Sequence, residues 1–213
     1  MIRRWIATRR LPVIDPKVIK SQVIASKAAS INVGCGHEIV PGYWNIDVRS
    51  VDGIDFAADV KRLPLATGSV RAARAGSLLE HFDDPCAPLA ELHRVLVDDG
   101  RLIVRVPALG TNAAHLDPTH RFLADLVQWR EILSGYFERV RVDSIGVRYR
   151  GSPLLVAIQR VLITTLGFHD LGQCWVFTAS GKRQKPERRF KPWWNDSSSM
   201  QNRSGFGAVD RIR

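Results

Sequence analysis

The sequence predicts an alternating α/β fold built around a mainly parallel sheet. Two observations support this fold class. Short apolar runs that suit buried strands alternate, from Ser30 onwards, with segments whose apolar residues recur at helical spacing. The first run, Ile31–Val33, also ends at two glycines, and the next, Trp44–Val48, contains an acid near its end. This layout is typical of the ligand-binding edge of a parallel sheet.

Each element follows from its local pattern. Gly, Pro, Asn and Asp clusters separate the strands, and the helical segments carry apolar residues three and four positions apart. A long polar loop is expected at 108–119, after a central strand. The predicted strands are 30–34, 43–48, 55–60, 70–76, 101–106, 137–144 and 174–179. The predicted helices are 37–41, which is very short, 86–97, 121–134 and 153–165.

Charge divides the 213-residue chain into three parts. The net charge is +10, but the basic excess lies at the two ends, and residues 29–180 are slightly acidic. We therefore expect a basic N-terminal arm or helix at 1–28, one folded domain at 29–180 and a basic, disordered tail at 181–213. The arm is suited to peripheral contact with an anionic membrane surface. A folded body without basic excess argues against nucleic acid as the main partner.

The three cysteines, Cys35, Cys86 and Cys174, have neither the spacing of a zinc site nor an even number for a disulfide framework. No segment has the length and apolar character of a membrane span, and arginines interrupt the first apolar residues where a signal peptide would have a continuous core. We expect a cytoplasmic protein in which the cysteines form neither a disulfide framework nor a zinc site.

The turn after the first strand indicates a cofactor that contains adenosine. Gly34 and Gly36 allow a sharp turn against which a ligand can lie on bare backbone. Asp47, near the end of the second strand, can accept hydrogen bonds from two ribose hydroxyls. The turn lacks the glycine and lysine pattern that holds phosphates. Glu38 beside the turn favours a positively charged cofactor over a pyrophosphate.

Several further segments extend this pattern and, in order and spacing, resemble one family, the class I S-adenosylmethionine-dependent methyltransferases. The resemblance covers roughly residues 30–125 and is strongest to a small type found with glycan and secondary-metabolite biosynthesis. It implies a Rossmann-like three-layer α/β/α sandwich, with a mostly parallel seven-stranded sheet and an antiparallel last strand. The segments are Gly34-Cys35-Gly36, Pro41–Asp47, Asp59 with Leu63-Pro64-Leu65, Leu79–Phe82, Arg94-Val95-Leu96 and Gly100-Arg101-Leu102.

The resemblance also assigns cofactor-binding roles. Gly34-Cys35-Gly36 would lie against the methionine part of S-adenosylmethionine, and Asp47 would bind the ribose hydroxyls. Asp59, with the backbone of Val60, would lie near the adenine amino group. Ser77, at the end of the fourth strand, would face the methionine and sulfonium region.

The loop at 108–120 supplies the candidates for chemistry on the methyl acceptor. A hydroxyl acceptor needs a base, and His120 is the first candidate, with Asp117 orienting it or binding a sugar. His115 is the second candidate. The competing interpretation is that Asp117 caps a helix beginning after Pro118, with His120 packed in its first turn. Asp117 and His120 alone are too few ligands to predict a metal site.

Glu80 and His81 are a further candidate pair. We expect His81 to cap the turn between strand and helix, because adjacent side chains on an extended segment point in opposite directions.

Three functions remain open at this stage. The first is O-methylation of a sugar, glycolipid or related small molecule, the second is methylation of RNA or another nucleic acid, and the third is cofactor binding without catalysis. The glycine turn with both acids, Asp47 and Asp59, argues against the third.

Overall fold

A computed structural model describes residues 29–146 and 152–189. The predicted arm at 1–28 and the last part of the predicted tail, 190–213, lie outside the described residues. The strands are β1 Ala29–Val33, β2 Trp44–Asp47, β3 Phe56–Ala57, β4 Val70–Gly76, β5 Leu96–Pro107, β6 Phe137–Ile145 and β7 Cys174–Lys182. The α-helices are α1 Cys86–Val95, α2 Asn112–His115, α3 Leu126–Ser134 and α4 Pro153–Leu166, and single 3₁₀ turns lie at Leu79–His81 and His169–Leu171.

The strands form one seven-stranded sheet in the order β3-β2-β1-β4-β5-β7-β6. Strand β7 is antiparallel to both of its neighbours, and the remaining neighbouring pairs are parallel. The predicted Rossmann-like fold with its antiparallel last strand is therefore confirmed. The strand order reverses direction between β1 and β4, where the two chain segments leaving the sheet open a crevice.

The core lies between one face of the sheet and helices α1 and α3. Leu89 and Leu92 of α1 and Trp129 of α3 are at most 1% exposed and belong to the same cluster as Val104 and Phe177 of the sheet. Complete burial of such a side chain contributes about 1.5–3 kcal/mol. This packing holds in place the strands whose carboxyl ends carry the candidate site.

The predicted helix at 37–41 is wrong, because residues 38–40 are irregular and only 37 and 41 lie in turns. The buried side chain of Asn45 replaces the helical hydrogen bonds there. Its Oδ1 accepts from the N–H of Val40 at 2.9 Å, and its Nδ2 donates to the Val40 carbonyl at 3.2 Å. An interaction between a strand residue and a preceding loop is not visible as a periodic pattern.

Two predicted helices are longer than the observed ones. Helix α1 ends at Val95, because Leu96 is already extended and begins β5. Helix α3 begins at Leu126 instead of 121, and Asp125 caps it by accepting from the N–H of Gln128 at 2.7 Å. The Gln128 side chain completes a capping box.

The folded part extends past residue 180. Strand β7 continues to Lys182, and the N–H of Arg183 donates to the Tyr136 carbonyl at 3.0 Å. The N–H of Glu187 donates to the Gly135 carbonyl at 2.9 Å. The first residues of the predicted tail are thus attached to the turn between α3 and β6.

Cys35, Cys86 and Cys174 form no disulfide with one another. In the ranges that the structure describes, no helix combines the length and the apolar character needed to cross a membrane.

Candidate active site

A cavity of about 450 Å³ lies where β1, β2 and β4 end. This volume suits a cofactor-sized ligand. The glycine turn after β1 and the acidic end of β2, both predicted from the sequence, meet at this cavity. The segment that follows β4 also lines it. The lining residues are Gly34, Asp47, Val48, Arg49, Ala58, Asp59, Val60, Lys61, Ser77, Leu78, His81, Phe82 and Thr119.

The glycine turn needs its glycines. Gly34 and Gly36 have φ of +60° and +51°, in the left-handed region that other residues rarely adopt. A Cβ on Gly34 would collide with the Leu78 side chain. Gly34 lines the cavity. Cys35 and Gly36 are not among the described residues that line the cavity. Cys35 is buried, and its N–H donates to the Ile46 carbonyl at 3.2 Å.

Asp47 joins the turn to the end of β2. Its Oδ2 accepts from the N–H of Gly36 at 2.8 Å, and its Oδ1 accepts from the N–H of Arg49 at 2.9 Å. Burial alone would raise the pKa of Asp47, but the hydrogen bonds from Arg49 and Gly36 lower it below its ordinary value. The residue is therefore an anionic acceptor facing the cavity, which suits the two hydroxyls of a ribose.

Asp59 and Val60 form the next part of the wall. Asp59 is exposed and accepts from the N–H of Lys61 at 2.9 Å, and Val60 is buried. Val48 lines the same cavity with 70% of its surface exposed. These side chains give an apolar wall with a carboxylate at its edge, which suits a flat adenine ring. Sequence reasoning missed Val48, although an apolar residue directly after Asp47 was a usable signal.

Ser77 follows β4 and also lines the cavity. Its φ of 50° is the one positive φ of a non-glycine residue in the described ranges. Its N–H donates to the Arg105 carbonyl at 2.8 Å, which holds this conformation. Strained backbone of this kind is concentrated at binding sites.

Glu38 does not supply free negative charge beside the turn. Its carboxylate pairs with Arg74 and with Arg105, the latter at 2.7 Å, and the side-chain hydrogen bonds from these arginines outweigh burial, so that the pKa of Glu38 is lowered. Because its charge is paired, Glu38 itself gives no support to the expectation of a positively charged cofactor. The acidic groups that line the cavity are Asp47 and Asp59, and each forms an ion pair with a neighbouring basic residue, Arg49 at 3.3 Å and Lys61 at 3.7 Å.

The loop after β5 is attached to the turn after β4 by one carbonyl. The carbonyl oxygen of Glu80 accepts from the N–H of Arg121 at 2.8 Å and from that of Phe122 at 2.9 Å. These bonds keep 121 and 122 out of the helix predicted there. They also bring His120 against His81, with ring centroids 4.9 Å apart.

Hydrogen bonds fix the tautomers of both imidazoles. Thr119 donates its hydroxyl hydrogen to Asp117 Oδ1 at 2.5 Å, so its oxygen, 3.0 Å from His81 Nδ1, accepts the hydrogen that Nδ1 carries. His120 Nδ1 lies 2.9 Å from the Ala114 carbonyl and is also a donor. The Nε2 atom of each ring is then the one with a free lone pair. His120 Nε2 lies 3.8 Å from Asp117 Oδ2.

Glu80 is 1% exposed, and neither oxygen of its carboxyl group has a hydrogen-bond partner in the described part of the chain. Burial raises the pKa of Glu80 to about 7. The expectation that Glu80 and His81 point apart is wrong, because both lie in a 3₁₀ turn rather than an extended segment. One ligand atom from each of Glu80, His81 and His120 lies within 4.8 Å of the others.

The other candidates from the loop are placed differently. His115 ends helix α2 and is exposed, outside this cluster. Asp117 does not cap a helix after Pro118. It accepts instead from the N–H of Thr119 at 2.8 Å, and the helix that follows is capped by Asp125. His81 lines the cavity, whereas the sequence favoured a turn-capping role for it over a role in a candidate pair with Glu80.

Comparison with known proteins agrees with this geometry. The sequence model of the family described as "Methyltransferase domain" matches residues 47–104. A crystal structure of an S-adenosylmethionine-dependent methyltransferase from Archaeoglobus fulgidus has 14% identity and a TM-score of 0.51, over 79% of this chain and 94% of that one. A methyltransferase from Thermotoga maritima, described as a possible histamine N-methyltransferase, has 16% identity and a TM-score of 0.54, over 72% and 82%.

An uncharacterised 37.1 kDa protein in transposon TN4556 of Streptomyces fradiae is 45% identical over 49 residues. This match covers 23% of the present chain and 14% of that protein.

The two solved structures share the fold, and the family match spans the segments that carry Asp47, Asp59 and Ser77. These findings show that residues 47–104 match the methyltransferase-domain family, in a chain with the fold of S-adenosylmethionine-dependent methyltransferases, and S-adenosylmethionine is the cofactor that the glycine turn and the cavity beside it would bind.

Proposed function

We propose that this protein transfers a methyl group to a hydroxyl of a sugar, glycolipid or related small molecule. The observation that supports this proposal is the imidazole pair of His81 and His120 at one end of the cofactor cavity. A hydroxyl is a weak nucleophile that must lose a proton as it reacts, and a neutral imidazole is the usual group that accepts one.

Bound S-adenosylmethionine supplies a methyl group on a positively charged sulfur. The acceptor oxygen forms a bond to the methyl carbon as the carbon–sulfur bond breaks, and that bond's electron pair stays on sulfur. The chain's own contribution is to position the oxygen and to take its proton. We assign the proton to Nε2 of His120, and Asp117, 3.8 Å from this atom, stabilises the imidazolium that forms.

His81 is the second proton acceptor in this proposal. It lines the cavity, whereas the side chain of His120 is only 7% exposed, so an acceptor entering the cavity meets His81 first. Its Nε2 is available because Thr119 engages Nδ1. Separate variants of the two histidines distinguish the roles.

The surface outside the cavity supports a sugar-containing acceptor. An open groove is lined by Asn112, Ala113, Leu116, Asp117 and Pro118, and Leu116 is 76% exposed. An exposed carboxylate and amide beside apolar carbon suit a ring that presents hydroxyls at its edge and C–H groups on its face. The resemblance to methyltransferases found with glycan biosynthesis favours the same acceptor class.

Methylation of a nucleic acid is the alternative that the charge distribution keeps open. The basic excess of the sequence lies outside 29–180, which is slightly acidic, so the residues around the cavity give this alternative little support. A cofactor-binding module without catalysis is the third possibility. A protein that only binds the cofactor would not need two imidazoles held in a tautomer that can accept a proton.

The test is an activity screen of the full chain with methyl-labelled S-adenosylmethionine. Free sugars, sugar lipids, phenolics and RNA are the acceptors. We expect label on a sugar hydroxyl, and label on RNA alone would overturn the acceptor class. His120→Ala should lower turnover by about a hundredfold or more with unchanged cofactor affinity. Arg130→Ala, an exposed position on α3, is the control that should retain full turnover.

A further inference from the structure

Glu80, His81 and His120 form a compact ligand set that the reaction proposed above does not fully use. One oxygen or nitrogen from each lies within 4.8 Å of the other two. Glu80 and His81 come from the 3₁₀ turn after β4, and His120 comes from the loop after β5. The double hydrogen bond to the Glu80 carbonyl holds these two segments together.

Both imidazoles have the arrangement that metal-bound histidines have in proteins. Such a histidine usually donates its second ring N–H to a carbonyl, hydroxyl or carboxylate, which fixes the ring and leaves the other nitrogen for the metal. His120 donates from Nδ1 to the Ala114 carbonyl. His81 donates from Nδ1 to Thr119, whose hydroxyl is in turn hydrogen-bonded to Asp117.

The carboxyl group of Glu80 is the independent observation that indicates a ligand. It is 1% exposed, and both of its oxygens lack a hydrogen-bond partner among the described residues. A buried carboxylate without a partner is costly, and proteins normally pair such a group or bind a cation with it. The two imidazoles next to it supply ring nitrogens that can bind the same cation.

We propose that Glu80, His81 and His120 bind a divalent transition-metal ion beside the cofactor cavity, with one coordination position left for the acceptor oxygen. Two imidazoles and one carboxylate suit Mn²⁺, Fe²⁺, Co²⁺ or Zn²⁺ better than Mg²⁺ or Ca²⁺, which prefer oxygen ligands. Metal–ligand bonds of about 2.1 Å require the three side chains to move inward by small rotations. Three protein ligands with an open position are typical of catalytic sites.

The proposal that a cation binds here follows from this geometry alone. The proposal that the cation takes part in catalysis rests on the proposed function. A hydroxyl bound to the ion becomes more acidic. Its proton then passes to the Asp117 carboxylate, and the oxygen takes the methyl group as the carbon–sulfur bond breaks. His120 is a ligand in this scheme and a base in the cation-free scheme, so the two roles exclude each other.

Co²⁺ is a suitable probe, because its visible absorption reports nitrogen ligation. Full-length protein without a histidine tag is treated with a chelator, dialysed and titrated with CoCl₂ by calorimetry and absorption. We expect one ion per chain and visible bands typical of a nitrogen- and oxygen-coordinated site. Glu80→Gln, which keeps the side-chain shape, and His120→Ala should each weaken binding by about a hundredfold. The control His115→Ala, in the same loop but outside the cluster, should bind Co²⁺ like the wild type.

No binding of Co²⁺ or Zn²⁺ below roughly 1 mM would overturn the proposal, as would equal binding by the wild type and Glu80→Gln. Thermal unfolding of each variant without metal shows whether it is folded, and Glu80→Gln provides the test if His120→Ala is not. Unchanged methylation by chelator-treated protein would overturn the catalytic part and leave the proposed function standing. Stoichiometric Co²⁺ binding without methylation of any acceptor would contradict the proposed function alone.

Discussion

The backbone N–H of Gly36 donates a hydrogen bond to Oδ2 of Asp47 at 2.8 Å. This bond connects the turn after β1 to the end of β2, so a single carboxylate both holds the glycine turn and faces the cavity. The cofactor site and the local fold therefore depend on the same side chain.

Replacement of Asp47 tests that connection. Asp47→Ala removes an ionised acceptor from the cavity and frees the N–H groups of Gly36 and Arg49. A lost hydrogen bond to a charged group costs about 1.5–3 kcal/mol, so S-adenosylmethionine affinity should fall by roughly tenfold to a hundredfold. Isothermal titration calorimetry measures this, with the exposed Asp52→Ala as control. Equal affinities for wild type and Asp47→Ala would remove Asp47 from the site.

The strained backbone at Ser77 predicts opposite effects of two substitutions. A φ of 50° is easy for glycine and costly for a β-branched residue. Ser77→Val should lower the free energy of unfolding by about 2 kcal/mol, and Ser77→Gly should change it by less than about 1 kcal/mol. Urea denaturation of the cofactor-free protein provides the comparison. Similar stability of both variants would mean that this conformation is not strained.

Thr119 predicts a catalytic effect without a loss of cofactor affinity. Its hydroxyl connects Asp117 to Nδ1 of His81, and Thr119→Val removes this connection while keeping the side-chain size. We expect kcat to fall by about tenfold to a hundredfold and the S-adenosylmethionine dissociation constant to stay within about twofold. Thr119→Ser keeps the hydroxyl and should restore kcat. A low kcat in Thr119→Ser as well would mean that the methyl group, not the hydroxyl, is what matters.

His93 predicts how stability changes with pH. Burial, with a smaller effect of Lys182, lowers the pKa of His93 below its ordinary value of 6.5, and its Nε2 lies 3.0 Å from the Arg183 carbonyl. The unfolded chain then binds a proton more readily than the folded one, so this contribution is complete above pH 6.5 and declines as pH falls below it. His93→Gln should flatten that decline between pH 7.5 and 5.5 in denaturant unfolding, and the exposed His37→Gln should not. An identical pH dependence in wild type and His93→Gln would contradict this.

The sheet could be predicted from the sequence because each strand is a local apolar run bounded by turn residues. The cofactor-binding residues Gly34 and Asp47 could be predicted for the same reason, because each lies at the end of such an apolar run. The segment at 37–41 was not, because its hydrogen bonds come from the Asn45 side chain and override a weak helical pattern. Glu38 was misjudged because its partners, Arg74 and Arg105, are more than thirty positions away in the chain.

The histidine end of the cavity, where we place the methyl acceptor, depends on long-range contacts that no local sequence pattern predicts. His81 and His120 become neighbours only because the Glu80 carbonyl binds the N–H groups of Arg121 and Phe122. The periodicity of the apolar residues instead predicts that helix α3 begins earlier and includes Arg121 and Phe122. The burial of Glu80 likewise depends on the packing of two separate loops, so an exposed acid and a buried one look the same in the sequence.

The most direct test of this account is where the transferable methyl group lies in the complex. Nuclear Overhauser effects between the ¹³C-labelled methyl of S-adenosylmethionine and the histidine ring protons of the full chain measure this position. We predict a strong effect to the ring of His81, which lines the cavity, and none to the exposed His115. A bound cofactor whose methyl group shows no effect to His81 would contradict the assignment of the acceptor site to the histidine end of the cavity.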